Sequence, residues 1–172
     1  MKTEAPQKPL KVRFLASPRA HRGTLRGGGG AGTAVHAGAF LRKREIVLDT
    51  ALLASPGELL RILTHEIFHF VWLRLGNPAR ASYEGLLASE IRRGARGELG
   101  WSSQERKQAL TPYDRRARTR RWREYVCESF CDTASWLVSG ARRHAEFTLA
   151  RSHRLRRRAW FRHAEALKRI SV

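Results

Sequence analysis

The residues best suited to chemistry are His65, Glu66 and His69, which together form the pattern HExxH. Residues 56–75 around them are mostly apolar and predict a buried helix. Residues four apart lie on one face of a helix, so the two imidazoles can bind one metal ion. Glu66 lies about 100° around the helix, where its carboxylate can contact a metal-bound water. The spacing predicts a hydrolytic zinc site.

A catalytic zinc site needs a third protein ligand and one open position. A second predicted helix, residues 122–137, carries Glu128 and Asp132 one turn apart on its polar face. One carboxylate can complete the site while the other accepts the outer N–H of a ligand histidine. Glu124, one turn earlier on that face, is the first alternative ligand. The weaker acidic alternatives are Glu84, Glu90 and Glu98.

HExxH followed by a helix with ExxxD resembles the gluzincin metallopeptidases, including their small single-domain forms. The long gap between the two motifs is more similar to the HtpX-type and ImmA/IrrE-type branches than to thermolysin. The resemblance implies a zincin-like fold and a zinc ion (Zn2+) bound by His65, His69 and Glu128. It also implies Glu66 as the general base and Asp132 as the partner of a ligand histidine, with His65 the first choice.

The order of the segments predicts an α+β fold, with a small N-terminal β-sheet and a mostly helical half that holds both active-site helices. Residues 1–10 are expected to form a flexible tail and residues 11–172 a single domain. Residues 35–41 or 46–49 are the candidates for an edge strand that pairs with an extended substrate, as the resemblance implies. A small core hairpin without a substrate role is the alternative.

Hydrolysis also needs a hydrogen-bond donor for the oxyanion. Tyr125, at the edge of the carboxylate face, is the first candidate, and His36, Tyr83 and Tyr113 are the alternatives. With zinc activating a water molecule, Glu66 would take its proton and return it to the leaving amine. The predicted function is a zinc metallopeptidase, an endopeptidase-like hydrolase that cleaves a peptide or protein substrate.

Two cysteines offer a competing explanation for the histidines. Cys127 and Cys131 are also four residues apart, and with His65 and His69 they could form a closed structural zinc site without hydrolysis. Glu66 would then have no role. A further alternative has no metal, with both histidines in the core and bonded to backbone carbonyls. The simplest role for the cysteines is that of small, partly buried apolar side chains.

The charge of the chain suggests a different partner. The formal net charge is +19 at pH 7, and arginines cluster at residues 115–123 and 151–158. Such a surface attracts phosphate polymers, and Trp122 and Trp160 beside these arginines could stack on bases. The alternative function is therefore a basic nucleic-acid-binding or regulatory protein, with a structural zinc site or none. No known nucleic-acid-binding motif organises the charge.

Length and composition set the remaining expectations. A chain of 172 residues can bury a core without disulfides. It contains no uninterrupted apolar run long enough for a membrane span. Residues 1–10 lack the apolar segment of a secretion signal, and the chain contains only two cysteines. Together these features predict a cytoplasmic protein.

Overall fold

A computed structural model describes residues 9–28, 31–141 and 143–164. In these ranges the chain forms short strands followed by helices, so the predicted α+β class with a mostly helical second half is confirmed. Most of the expected N-terminal tail, residues 1–8, lies outside the described residues. None of the helices described combines the length and the apolar character needed to cross a membrane.

The elements follow one another in the order strands, then helices. The strands are β1 (Lys11–Leu15), β2 (Arg19–His21), β3 (Thr24–Arg26), β4 (Thr33–Ala34), β5 (Ala37–Phe40) and β6 (Glu45–Asp49). The helices are α1 (Pro56–Arg74), α2 (Asn77–Arg92), α3 (Trp101–Gln108), α4 (Pro112–Ala117), α5 (Arg120–Val138) and α6 (Arg151–His163). The two helices expected to carry the site are therefore α1 and α5.

The strands form two small sheets. In the first, β6 is central, with β1 parallel on one side and β5 antiparallel on the other. Residues Ile46, Val47 and Leu48 are fully buried, as the middle strand of a covered sheet requires. In the second sheet β2 lies between β3 and β4. Of the two candidates for the edge strand, residues 46–49 lie in the central strand β6. Residues 35–41 include β5, which is an edge strand of this sheet.

Helix α1 lies between the first sheet and α5. Its residues Ile62, Ile67 and Phe70 pack with the buried side chains of β6. Phe68 and Trp72, on the other side, pack against Phe130 of α5. Covered on two sides by apolar contacts, α1 can hold a rigid position for any group on its remaining face.

Helix α5 is buried on both its apolar and its polar face. Phe130 and Ala134 belong to the interior, while Asp132 and Ser135 on the polar face are also buried. The Ser135 hydroxyl donates to the carbonyl of Arg61 on α1, at 2.7 Å. The part of this face that carries Asp132 and Ser135 is therefore not a solvated surface, because it turns toward α1.

A buried ion-pair network ties α6 to the rest of the helical half. The guanidinium of Arg157, which is fully buried, lies 2.8 Å from Glu90 and 2.7 Å from Glu98. Lys107 lies 3.0 Å from Glu98, and the Tyr125 hydroxyl donates to the same carboxylate at 2.7 Å. Burial alone raises the pKa of Glu98, but Arg157 and Lys107 outweigh it and lower the pKa to about 2.

Replacing Arg157→Met should destabilise the fold strongly. The change leaves Glu90 and Glu98 buried without their main cation, which costs about 3–5 kcal/mol in comparable pairs. The control is Arg120→Met, which breaks the exposed pair with Glu124 and should cost less than about 1 kcal/mol. Urea unfolding of the two variants tests this difference, and equal losses would contradict it.

Acid should weaken the fold between pH 4.5 and 2 through Glu98. The folded-state pKa of about 2 lies below the ordinary value of 4.5, so the ionised carboxylate stabilises the fold fully above pH 4.5. That stabilisation is lost as the pH falls toward 2. Unfolding midpoints measured from pH 7 to pH 2 should fall less steeply in Glu98→Gln than in wild type. Parallel curves would show that Glu98 does not contribute.

Candidate metal centre

One of the two motif histidines, His65, meets a carboxylate of α5. The ring centroids of His65 and His69 lie 5.0 Å apart, with the planes at 76°. Glu128 Oε2 lies 3.3 Å from Nε2 of His65. Zinc bonds to nitrogen and oxygen of about 2.0–2.2 Å, in a tetrahedral arrangement, separate two ligand atoms by about 3.3–3.5 Å. The spacing of the nitrogen and the carboxylate oxygen therefore suits two ligands of one ion.

A second carboxylate orients His65. Asp132 Oδ1 lies 2.7 Å from His65 Nδ1, on the opposite side of the ring from Glu128. Asp132 Oδ2 accepts a hydrogen bond from the backbone N–H of Ser103, at 3.1 Å, near the start of α3. A carboxylate at Nδ1 favours the proton on that nitrogen and leaves the lone pair of Nε2 directed at Glu128.

The other candidate third ligands are engaged elsewhere. Glu124 pairs with Arg120 on the surface, and Glu84 accepts from the indole of Trp122. The remaining two, Glu90 and Glu98, lie in the network around Arg157. Among the five acids considered as the third ligand, Glu128 is the one that lies against a motif histidine.

The structure also brings both thiols to His69. Its Nδ1 lies 3.6 Å from Sγ of Cys127 and 3.5 Å from Sγ of Cys131. Ligand atoms of His65, His69 and Cys131 all lie within 4.8 Å of one another. A tetrahedral zinc ion with one nitrogen and one sulfur ligand separates them by about 3.5–3.6 Å. Two candidate donor sets therefore compete, one in which Glu128 contacts His65 and one in which the thiols contact His69. Glu128 does not belong to the group of described residues, His65, His69 and Cys131, whose ligand atoms lie within 4.8 Å of one another.

The pKa shifts of these groups indicate that the electrostatic environment of the site favours positive charge. Burial lowers the pKa of His65, but the carboxylates of Asp132 and Glu128 outweigh burial and hold it well above its usual range. Burial likewise lowers the pKa of His69, and the Cys127 thiol and Glu128 outweigh it. Burial raises the pKa of Glu128, yet His65 and His69 lower it to about 2. The same field that stabilises protonated imidazoles also stabilises a bound cation.

The thiols differ from each other. A hydrogen bond from Cys131 lowers the pKa of Cys127 to about 6, against the opposing effect of burial, and His69 lowers it further. Burial raises the pKa of Cys131 well above its usual range. Of the pair, Cys127 is the one that carries thiolate character near neutral pH, and both are free cysteines.

Glu66 lies beside this group at the wall of an open cleft. Its side chain is only 8% exposed, and no hydrogen bond engages it from the part of the chain described. Burial raises its pKa, which favours a carboxylate that can hold a proton. The cleft runs between residues 33–37 of the sheet region and the beginning of α3. Its other lining residues include Arg61, Ile62, His65, Trp101, Ser102, Glu105, Asp132 and Glu146.

The oxyanion candidates are separated by their positions. Tyr125 is fully buried and donates to Glu98, and it is not among the residues that line the cleft. Tyr83 is also fully buried and bonds to the backbone of Ser129, while Tyr113 is exposed on α4. His36 lines the cleft and faces solvent there. Of these four candidates, His36 lines the cleft and Tyr125 does not, so His36 is the better candidate for the oxyanion donor.

Several residues of the site belong to no recognisable sequence motif. The hydroxyl of Ser102 donates to Glu128, and Arg106 lies 3.4 Å from the same carboxylate. Gly100 matters because a Cβ there would lie 2.2–2.4 Å from the carboxylate atoms of Asp132. The glycine just before α3 was a possible signal, since a helix start without a side chain admits a close neighbour.

Several arginines of the predicted clusters form contacts within the protein itself. In α6, Arg154 donates to two backbone carbonyls, Arg157 is buried and Arg158 lies over the ring of Trp136. Trp122 is fully buried, so its ring is not available to stack on bases. Trp160 packs against Tyr83. These positions weaken the argument for base stacking but leave the net charge unchanged.

No family model, no curated protein and no solved structure matches this chain. The chemistry of the site is therefore the main guide to its function.

Replacing Gly100→Ala should destabilise the protein because the new methyl group overlaps the Asp132 carboxylate. The matched control is Gly85→Ala in α2, where an added Cβ meets nothing within 4 Å. That change should stabilise the helix by about 0.5–1 kcal/mol. Thermal unfolding should thus shift in opposite directions for the two variants. A Gly100→Ala protein as stable as wild type would show that the packing around Asp132 is loose.

Proposed function

We propose that the protein is a zinc-dependent metallopeptidase with a zincin-like arrangement of its two site helices. The observation that carries the proposal is the approach of Glu128 to the open nitrogen of His65, with Asp132 holding the other nitrogen. His65, His69 and Glu128 would hold the ion as two neutral imidazoles and one carboxylate, a donor set that suits catalytic zinc. Glu66, buried and without a hydrogen-bond partner among the described residues, would supply the remaining group that hydrolysis needs.

When bound, zinc supplies a Lewis acid that polarises the attacking water and the scissile carbonyl. Glu66 accepts the proton of that water and delivers it to the nitrogen of the leaving amine. Asp132 keeps the His65 ring in place throughout, since it is itself held by the N–H of Ser103. His36, which lines the cleft, would donate a hydrogen bond to the oxyanion.

The edge strand gives a substrate chain a place to bind. Of the strands described, β5 pairs with β6 alone, so its other edge has unpaired backbone groups. Ala37, at the start of this strand, lines the cleft together with Val35 and His36, which precede the strand. An extended peptide can add to this edge through main-chain hydrogen bonds and pass in front of Glu66.

Metal content separates the two donor sets. Glu128→Ala should lose most of the zinc that wild type retains after dialysis, because one of three ligands is removed. Cys131→Ala should keep it, and Glu124→Ala, which breaks only a surface pair, is the control for folding. Zinc per chain is measured by native mass spectrometry and circular dichroism checks the fold. Loss of zinc in Cys131→Ala with retention in Glu128→Ala would overturn the proposal.

Glu66→Gln should retain zinc and lose peptide cleavage. The amide has nearly the shape of the carboxylate but cannot accept the proton of the attacking water, so the rate should fall at least about a hundredfold. Cleavage of a casein digest or peptide library is followed by mass spectrometry, with zinc content measured on the same samples. Full activity in a zinc-loaded Glu66→Gln protein would exclude Glu66 as the base.

A second candidate function rests on the thiol contacts. Zinc bound by His65, His69, Cys127 and Cys131 would be a closed structural site, and the protein would then act through its basic surface. The distances of 3.5 and 3.6 Å between His69 Nδ1 and the two sulfurs favour this set. Zinc loss in the cysteine variants, with steeply salt-dependent binding of DNA or RNA, would support this function.

A further inference from the structure

The cleft beside the proposed zinc site has a charge opposite to that of the chain as a whole. The chain carries a formal net charge of +19. At the mouth of the cleft, however, Glu105 is exposed, and none of the described residues forms a hydrogen bond or ion pair with its carboxylate. Because arginine outnumbers acidic residues across the protein, an acid left without a cation at this position needs an explanation.

None of the neighbouring cations described forms an ion pair with Glu105. Arg106 and Arg121 line a second pocket with Glu105, but neither pairs with its carboxylate, and Arg106 lies 3.4 Å from Glu128.

Arg61 lines the cleft, but its guanidinium is shared between Glu58 and Glu146, with Glu146 at 3.1 Å. The pKa of Glu58 is lowered, chiefly by its hydrogen bond with Arg61, so this group contains one cation and two anions. His144 lies 3.3 Å from Glu58. The carboxylate of Glu105 thus remains available to a ligand.

An exposed aromatic ring lies next to this carboxylate. Trp101 is 67% exposed, the largest exposure of any large hydrophobic residue described. It begins α3, and Glu105 follows one turn later, so both side chains occupy the same face of the helix and both line the cleft. An indole face beside a free carboxylate is suited to a lysine or arginine side chain, through a cation–π contact and an ion pair.

The cleft shows independently that it is built for a ligand. Glu66, less than a tenth exposed and without a described partner, lies in the same cleft as Trp101 and Glu105. Its carboxylate and the side chains of α3 therefore face one volume. A residue bound against α3 would lie close to the groups proposed to cleave the chain.

We propose that Trp101 and Glu105 form a subsite for a cationic side chain, so that the peptide substrate carries lysine or arginine near the bond that is cleaved. This inference rests on the proposed peptidase function for its biological meaning, but the subsite itself is a binding property. The proposed preference for a cationic side chain is opposite to the effect of the long-range electrostatic field, since a net charge of +19 attracts acidic peptides. A preference for lysine would therefore have to come from the local groups.

Binding tests the subsite without requiring cleavage. The probes are blocked seven-residue alanine peptides with one central Lys, Gln or Glu, titrated into zinc-loaded Glu66→Gln protein at 150 mM salt and followed by calorimetry. The Lys peptide should bind about threefold to thirtyfold more tightly than the Gln peptide, from the sum of an exposed cation–π contact and a surface ion pair. The Glu peptide should bind more weakly than the Gln peptide.

Two substitutions in the same background locate the preference. Glu105→Gln and Trp101→Ala should each reduce it, and the control Glu45→Gln, which removes an acid at the far end of β6, should leave it unchanged. Equal or tighter binding of the Glu peptide, no measurable binding of the Lys peptide, or a Lys preference that survives Glu105→Gln would each overturn the subsite.

Cleavage of the same peptides by wild-type protein separates this inference from the function on which it rests. Tighter binding of the Lys peptide without cleavage of any probe would keep the subsite and count against the peptidase. Cleavage of all three peptides at equal rates, together with equal binding, would keep the peptidase and remove the subsite.

Discussion

The hydrogen bond between His65 and Asp132 is the contact on which the rest of the site depends. It joins α1 to α5, and through the N–H of Ser103 it also joins both to the start of α3. A buried carboxylate must have its lone pairs satisfied, and here the imidazole and a helix N-terminus do so. Gly100 makes this possible because no side chain stands between the α3 turn and the carboxylate. One acidic residue thus sets the relative position of three helices.

A chain this rich in arginine uses many of its cations to build its interior. Glu98 accepts from Tyr125, Lys107 and Arg157, and these groups connect α6 to the two elements that frame the site. Such a network requires every member, since an unpaired charge at this depth is costly. The excess positive charge then lies elsewhere on the surface, and in the cleft Glu66 and Glu105 form no ion pair with any arginine that the structure describes. Composition alone therefore says little about the charge that a substrate meets.

The sequence predicts the elements of this fold better than their contacts. The HExxH spacing and the apolar residues around it predict α1 well, because periodicity depends on local geometry. At the start of α3, no local side chain caps the helix, and the N–H of Ser103 is instead bound by Asp132, which is far away in the chain. Tyr125, predicted at the edge of the carboxylate face, is fully buried, because α5 is covered by other elements around this residue. Residues such as Trp101 and Glu105 join the cleft only through tertiary packing.

The choice between the carboxylate and the thiols depends on which nitrogen of His69 is free. The thiols contact Nδ1, so a zinc ion held by sulfur would use that nitrogen. An ion held by Glu128 and His65 Nε2 would instead use Nε2 of His69, with the thiols acting as partners of the outer nitrogen, as Asp132 does for His65. One tetrahedral ion cannot use both nitrogens of a ring. With the ion held by Glu128, each histidine would be oriented by a partner on its Nδ1, and Glu66 would face the open position. The thiol set leaves Glu66 without a role, while the carboxylate set gives roles to Glu66, Glu128 and both thiols.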